Sequence, residues 1–178
     1  MYEQILEFWF NEIDPKKWWI VDPAFDGLLR ARFSSVLERA ARAELFSWRE
    51  SASGRLAEII VLDQFSRNIY RDTPQAFSQD AMALVLAQEA VASGALERLQ
   101  SAERAFLLMP LMHSESAFIH LEAERLFKAW APEDNYQFEL RHKAIIERFG
   151  RYPHRNSILG RLSTAAEIEF LQQPGSSF

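Results

Sequence analysis

Apolar residues recur at three- and four-residue spacing along nearly the whole chain, and the two-residue alternation of a half-buried strand is almost absent. Tyr2, Ile5, Leu6, Trp9 and Ile13 form the stripe of a first helix. Pro15-Lys16-Lys17-Trp18-Trp19 reads as a loop, and Asp22-Pro23 as a helix start, with Asp as N-cap and Pro in the first turn. Phe25, Leu28, Leu29, Phe33, Val36, Leu37 and Ala40 then keep helical spacing, and Phe46 and Trp48 are expected to plug the core from a connector. Ser51-Ala52-Ser53-Gly54 interrupts the pattern, and a third helix is expected from about Arg55 to Tyr70.

Asp72-Thr73-Pro74 is a turn signal. A helix rich in small residues follows through Ala81, Ala83, Ala87 and Ala90, closing at Gly94. Another begins near Ser101 and meets Pro110, which should end or kink it. A long helix is expected from about Ser114 to Trp130, and the next from about Asn135 to Phe149, with Gly150 just past its end. Thr164-x-x-Glu167 matches a capping box for a last helix near Ala165 to Gln172, stopped by Pro174-Gly175. About eight helices joined by short connections predict a single all-α domain of stacked antiparallel hairpins. No clean repeat at 34 residues or a nearby period is present.

Composition narrows the partners. A net charge of −5 argues against a nucleic-acid binder. With no cysteine there is no disulfide, thiol nucleophile or Cys-based zinc site. The N-terminus lacks the basic start of a secretory signal, and the longest apolar run, Ala105 to Met112, is too short to span a bilayer. The expectation is a soluble cytoplasmic protein with no membrane partner. Fourteen Phe and five Trp predict an aromatic core. Trp18 and Trp19 also offer a homo-oligomer contact, although core burial is the default for them.

Three polar stretches stand against this apolar background: Asp63 to Asn68, Met109 to Glu115 and Phe149 to Asn156. Buried charge is costly unless paired or used. Asp63 and Arg67 are spaced to pair, either as an internal ion pair that fixes packing or as part of a site. His113 is an acid/base candidate, a ligand or a satisfied core histidine, and Glu115 either joins it or stabilises a helix N-terminus. His113-x-Glu115 lacks the cysteines of a zinc deaminase. Glu139-x-x-His142 is a single copy of a pattern that di-iron bundles carry twice. Nothing in the spacing of His113, Glu115 and His154 demands a metal, and no cofactor is identified. The stretch from Arg141 to Arg161 is locally basic: it suggests either an anion site or arginines that pair with Asp63, Glu115 and other acids across the fold.

The three stretches, in this order, resemble a bacterial family known as domain of unknown function number 924. The residues carrying the resemblance are Leu62-Asp63-Gln64-Phe65-Ser66-Arg67-Asn68, Ala76-Phe77, Asp80, Met109-Pro110-Leu111-Met112-His113-Ser114-Glu115 and Arg148 through Asn156, closed by Leu159-Gly160-Arg161 and Ser163-Thr164. His120 departs from the family pattern, which more often has glutamine, so the resemblance gives that position no site role. It implies a tetratricopeptide-like superhelix and brings no activity. The first functional reading is a helical-hairpin binding module with a basic pocket for an anionic small molecule or acidic peptide. Its candidate ligand-binding residues are Arg67, Asn68, Arg148, Arg151, Arg155, Asn156 and Arg161. The alternative is a hydrolase or lyase acting on an anionic substrate, with His113 or His154 as acid/base and Glu115 or Asp63 as partner.

Overall fold

Helical periodicity becomes helix throughout the computed structural model, which describes residues 1–176, and those residues form no strand. The α-helices are α1 (Tyr2–Glu7), α2 (Pro23–Ala41), α3 (Ala52–Ile60), α4 (Ser66–Ile69), α5 (Asp80–Ala92), α6 (Ser101–Met112), α7 (Ala117–Trp130), α8 (Glu133–Phe149) and α9 (Ala165–Leu171). A π turn, Val61–Phe65, joins α3 to α4 without a break, so the two form one rod, and a second π turn, Phe8–Glu12, extends α1. Among the described residues this makes eight helical rods in one all-α domain.

Neighbours in sequence pack as neighbours in space. α6 lies on α7 and α7 on α8, while α5 packs against both α3 and α6. The α3–α4 rod is the axis of the core, touched by α1, α2, α5 and α6 along its length. Trp9 stands at the aromatic centre, its ring centroid 5.5 Å from Phe65 and 5.6 Å from Phe106. Phe8, Phe25 and Phe33 complete that centre. Such pairs add to the burial of large rings and fix their orientation.

The predicted caps form. Asp22 accepts hydrogen bonds from the N–H groups of Ala24 and Phe25, and Thr164 and Glu167 make a reciprocal capping box. Gly94 and Gly150 close α5 and α8 at φ +74° and +68°, backbone that side chains avoid.

Four expectations need correction. The third helix begins at Ala52, because Ser51 caps it by accepting from the Gly54 N–H. Gly54 is therefore helical, and a Cβ there would lie 2.0 Å from the Trp48 carbonyl oxygen. Pro110 neither ends nor breaks α6, which continues to Met112 with every residue from Ala105 buried. Phe46 is 68% exposed while Trp48 is buried, because a 3₁₀ turn sends residues two apart to different sides. Finally α7 begins at Ala117, leaving Glu115 in the turn before the helix. No described helix is long and apolar enough to cross a membrane.

Candidate functional site

The α3–α4 rod is apolar on nearly every side, yet its π turn carries Asp63 and Gln64 into the interior. A π turn adds a residue within a helix and re-aims side chains, and such turns recur at functional sites. Asp63, 1% exposed, places Oδ1 2.8 Å from Nδ1 of His113 and 3.0 Å from Nη1 of Arg67. Its Oδ2 accepts from the Gln64 amide at 2.6 Å. Burial alone would neutralise this carboxyl, but the Arg67 charge and the His113 and Gln64 hydrogen bonds overcome it and hold Asp63 well below the usual carboxylate range.

Ionised Asp63 fixes the histidine. An anionic oxygen can only accept, so Nδ1 of His113 donates and the lone pair of the neutral ring stays on Nε2. Burial and the Arg67 charge push the His113 pKa below the ordinary histidine value, although Asp63 opposes them. The His113 side chain is 17% exposed.

Two arginines frame this pair. Arg67 donates to both oxygens of Asp80, at 2.9 and 3.1 Å, and Arg155 donates to Oδ2 of Asp80 at 3.2 Å. Asp80 opens α5, and Arg155 sits on the 3₁₀ turn after α8, so the fork is assembled from three separate parts of the chain. Arg155 also donates to the His113 carbonyl at 3.0 Å, and its guanidinium lies over the rings of Phe77 and Tyr152.

All four histidines of the chain gather about Tyr152. The rings of His142, His154 and His120 lie 5.7, 5.6 and 6.5 Å from the Tyr152 ring, and His113 lies 6.5 Å from His142. His142 donates Nδ1–H to the Phe138 carbonyl. Burial pushes its pKa down to about 3, and burial with the Arg155 charge pushes His154 down to about 4. Burial pushes the Tyr152 hydroxyl up, so it stays protonated. Despite these imidazoles, no three His, Asp or Glu side chains among the described residues are arranged to hold a metal ion.

These shifts carry a stability consequence. In the unfolded chain these histidines bind protons near pH 6.5, whereas folded His142 and His154 stay neutral well below that. The unfolded state then binds more protons as pH falls, so stability drops below pH 6.5. By pH 4.5 the two together are expected to cost on the order of 4 kcal/mol. Urea denaturation at pH 7 and pH 4.5 measures this, and equal midpoints would contradict it.

The remaining candidates divide. Glu115 accepts from Arg161 at 2.6 and 2.9 Å and from the Tyr152 N–H at 2.8 Å, and Arg161 also donates to Asn156. This second cluster adjoins the first through Tyr152. Asn68 is drawn elsewhere, donating to Asp26, which also holds Arg71. Arg151 pairs with Glu167, and Arg148 lies over Phe149 and Phe170. Arg148, Arg151 and Glu167 border a shallow, open depression of about 510 Å³. A larger one, about 600 Å³, lies between α1 and α2 and shares no residue with the histidine cluster. The basic stretch is thus split among separate acids.

Sequence reasoning missed Tyr152, Gln64, Glu139 and His120 as members of the cluster. His120, given no role by the resemblance, is fully buried and bonded to Glu139. Asp80 was visible only as part of the family pattern.

Residues 5–175 match a family profile described as "Bacterial protein of unknown function (DUF924)". A solved structure of a protein of unknown function, ATU0120, from Agrobacterium tumefaciens is similar at 35% identity with a TM-score of 0.91, covering 96% of each chain. No curated protein matches.

Proposed function

The chain belongs to this bacterial family of unknown function, so no activity comes with its membership, and we propose from its own residues that it is a small-molecule hydrolase or lyase. The substrate is anionic and His113 is the general base. The observation that carries this reading is the 2.8 Å contact between the His113 Nδ1 and the buried Asp63 carboxylate. That contact orients the ring, sets its tautomer and stabilises the imidazolium that forms when Nε2 takes a proton. The preference for an anion rests on Arg67 and Arg155, which already share the carboxylate of Asp80 beside the His113 backbone. Substrate carboxylate or phosphate oxygens suit the same guanidinium geometry. We place the protein in the cytoplasm, with stacked hairpins of the tetratricopeptide kind as the scaffold.

The test is a panel of generic esters, phosphates and amides, run with wild type, His113→Ala and Asp63→Asn. Turnover is expected to fall about 10²- to 10⁴-fold in His113→Ala. Asp63→Asn is expected to fall comparably, because an amide no longer enforces the Nδ1–H tautomer. The acid limb of the wild-type pH profile should lie below the ordinary histidine value, since the base form persists as pH drops. Rates in His113→Ala equal to wild type across the panel would remove the proposal.

A second reading, a binding module for an acidic peptide, rests on Arg148. Its guanidinium is exposed, stacks on Phe149 at 4.6 Å and has no carboxylate within ion-pair distance among the described residues. Salt-sensitive binding of a polyglutamate peptide, lost in Arg148→Ala, is the expected result for that reading. Exposed Trp19, Ile20 and Val21 give it a surface for contact between copies.

A further inference from the structure

His113 stands at the end of α6, where a helix leaves its last carbonyl groups without intrahelical donors. Here three successive carbonyls are each met by a different side chain. The Tyr152 hydroxyl donates to Met112 O at 2.5 Å, Arg155 to His113 O at 3.0 Å and His120 Nε2 to Ser114 O at 2.9 Å. The turn that bears the proposed base is therefore held at every residue from 112 to 114.

The His120 link differs from the other two. A carbonyl can only accept, so Nε2 of His120 must carry a proton. Its Nδ1 lies 2.7 Å from Oε1 of Glu139, and both side chains have no solvent exposure. Glu139 comes from α8 and His120 from α7, so the pair exists only when those helices dock. Oε2 of Glu139 is buried and has no hydrogen-bond partner among the described residues. A half-satisfied buried carboxyl is costly, and a packed apolar pair would avoid that cost.

We infer that His120 and Glu139 are positioning residues: Glu139 holds the His120 ring by its Nδ1, and His120 anchors the turn that sets the His113 ring against Asp63. This rests on the reading of His113 as a base, but its test does not need a substrate. His113 is surrounded by Asp63, Arg67, Asp80, His142 and His154, with Arg155 on its own carbonyl, and none of these changes in the variants below.

The experiment is a pH titration of the full chain followed by long-range proton–nitrogen NMR of His113. In wild type the neutral ring is expected as the Nδ1–H tautomer. His120→Leu removes the donor to Ser114 O. Its His113 midpoint is expected to rise by about one unit, toward the ordinary histidine value, with loss of the tautomer preference. His120→Gln, whose amide can donate to the same carbonyl, is expected to restore both. Glu139→Leu, which leaves His120 Nδ1 without its partner, covers the case in which His120→Leu does not fold, and it should shift the midpoint in the same direction. A purely structural role would lower the melting temperature and leave the His113 titration in place, and that result in whichever variant folds would overturn the inference. A shifted titration in a protein that shows no His113-dependent turnover would keep the positioning role and reject the catalytic one.

Discussion

Arg67→Met is expected to destabilise the fold by about 3–5 kcal/mol, because it leaves Asp63 in the core without its nearest fixed cation. Methionine matches the arginine stem in length, so the loss reports charge and hydrogen bonding more than volume. Asp80 loses two of its donors in the same step. The second effect is on His113. Burial and Arg67 disfavour the imidazolium and Asp63 favours it, so removing Arg67 should raise the His113 pKa from its wild-type position. A depressed folded histidine pKa costs stability as pH falls below the unfolded value, and raising it makes that cost smaller. The share of acid destabilisation that comes from His113 should therefore shrink in the variant. Urea denaturation at pH 7 and pH 5 checks both claims. A loss below about 1 kcal/mol would show that Asp63 does not depend on Arg67.

Gly54→Ala is the second large effect, and it has nothing to do with charge. The added methyl would sit 2.0 Å from the Trp48 oxygen and 2.8 Å from its carbonyl carbon, both backbone atoms that cannot rotate aside. Either α3 or the turn at Phe46–Glu50 has to move, and the buried Trp48 would move with it. The expected loss is about 3 kcal/mol or more, seen as a fall in melting temperature of roughly 6–12 °C. A fall of less than about 2 °C would mean that the approach of helix to turn is looser than it looks.

The helical architecture and its caps could be read from residue spacing, because periodicity, Asp22-Pro23, Gly94, Gly150 and Thr164-x-x-Glu167 are local signals. The Asp63–Arg67 pair was legible for the same reason, being one helical turn apart. What lay beyond local reading was partner choice. Arg151, Arg155 and Arg161 are close in sequence and look like one basic surface. They find acids 16, 75 and 46 residues away, which only tertiary docking decides. His120 and Glu139 sit on helices with wet outer faces, where single polar residues read as surface. Tyr152 lies in a stretch marked as polar, but nothing local shows that its N–H and hydroxyl reach Glu115 and the Met112 carbonyl, 37 and 40 residues away. Glu115 shows how a sound local expectation fails: it precedes a helix, but Arg161 and the Tyr152 amide take its carboxylate.

The wide turn at Val61–Phe65 sets a rule of phase for the whole rod. Residues before and after it are out of step with a regular helix by roughly one residue's rotation, about 100°. Removing a single amino acid from that turn would let the rod relax to uniform pitch with both flanks still facing as they do. Straightening the rod at its full length would instead swing Arg67 away from Asp80 and Asn68 from Asp26, so the rod would keep its shape and lose its wiring.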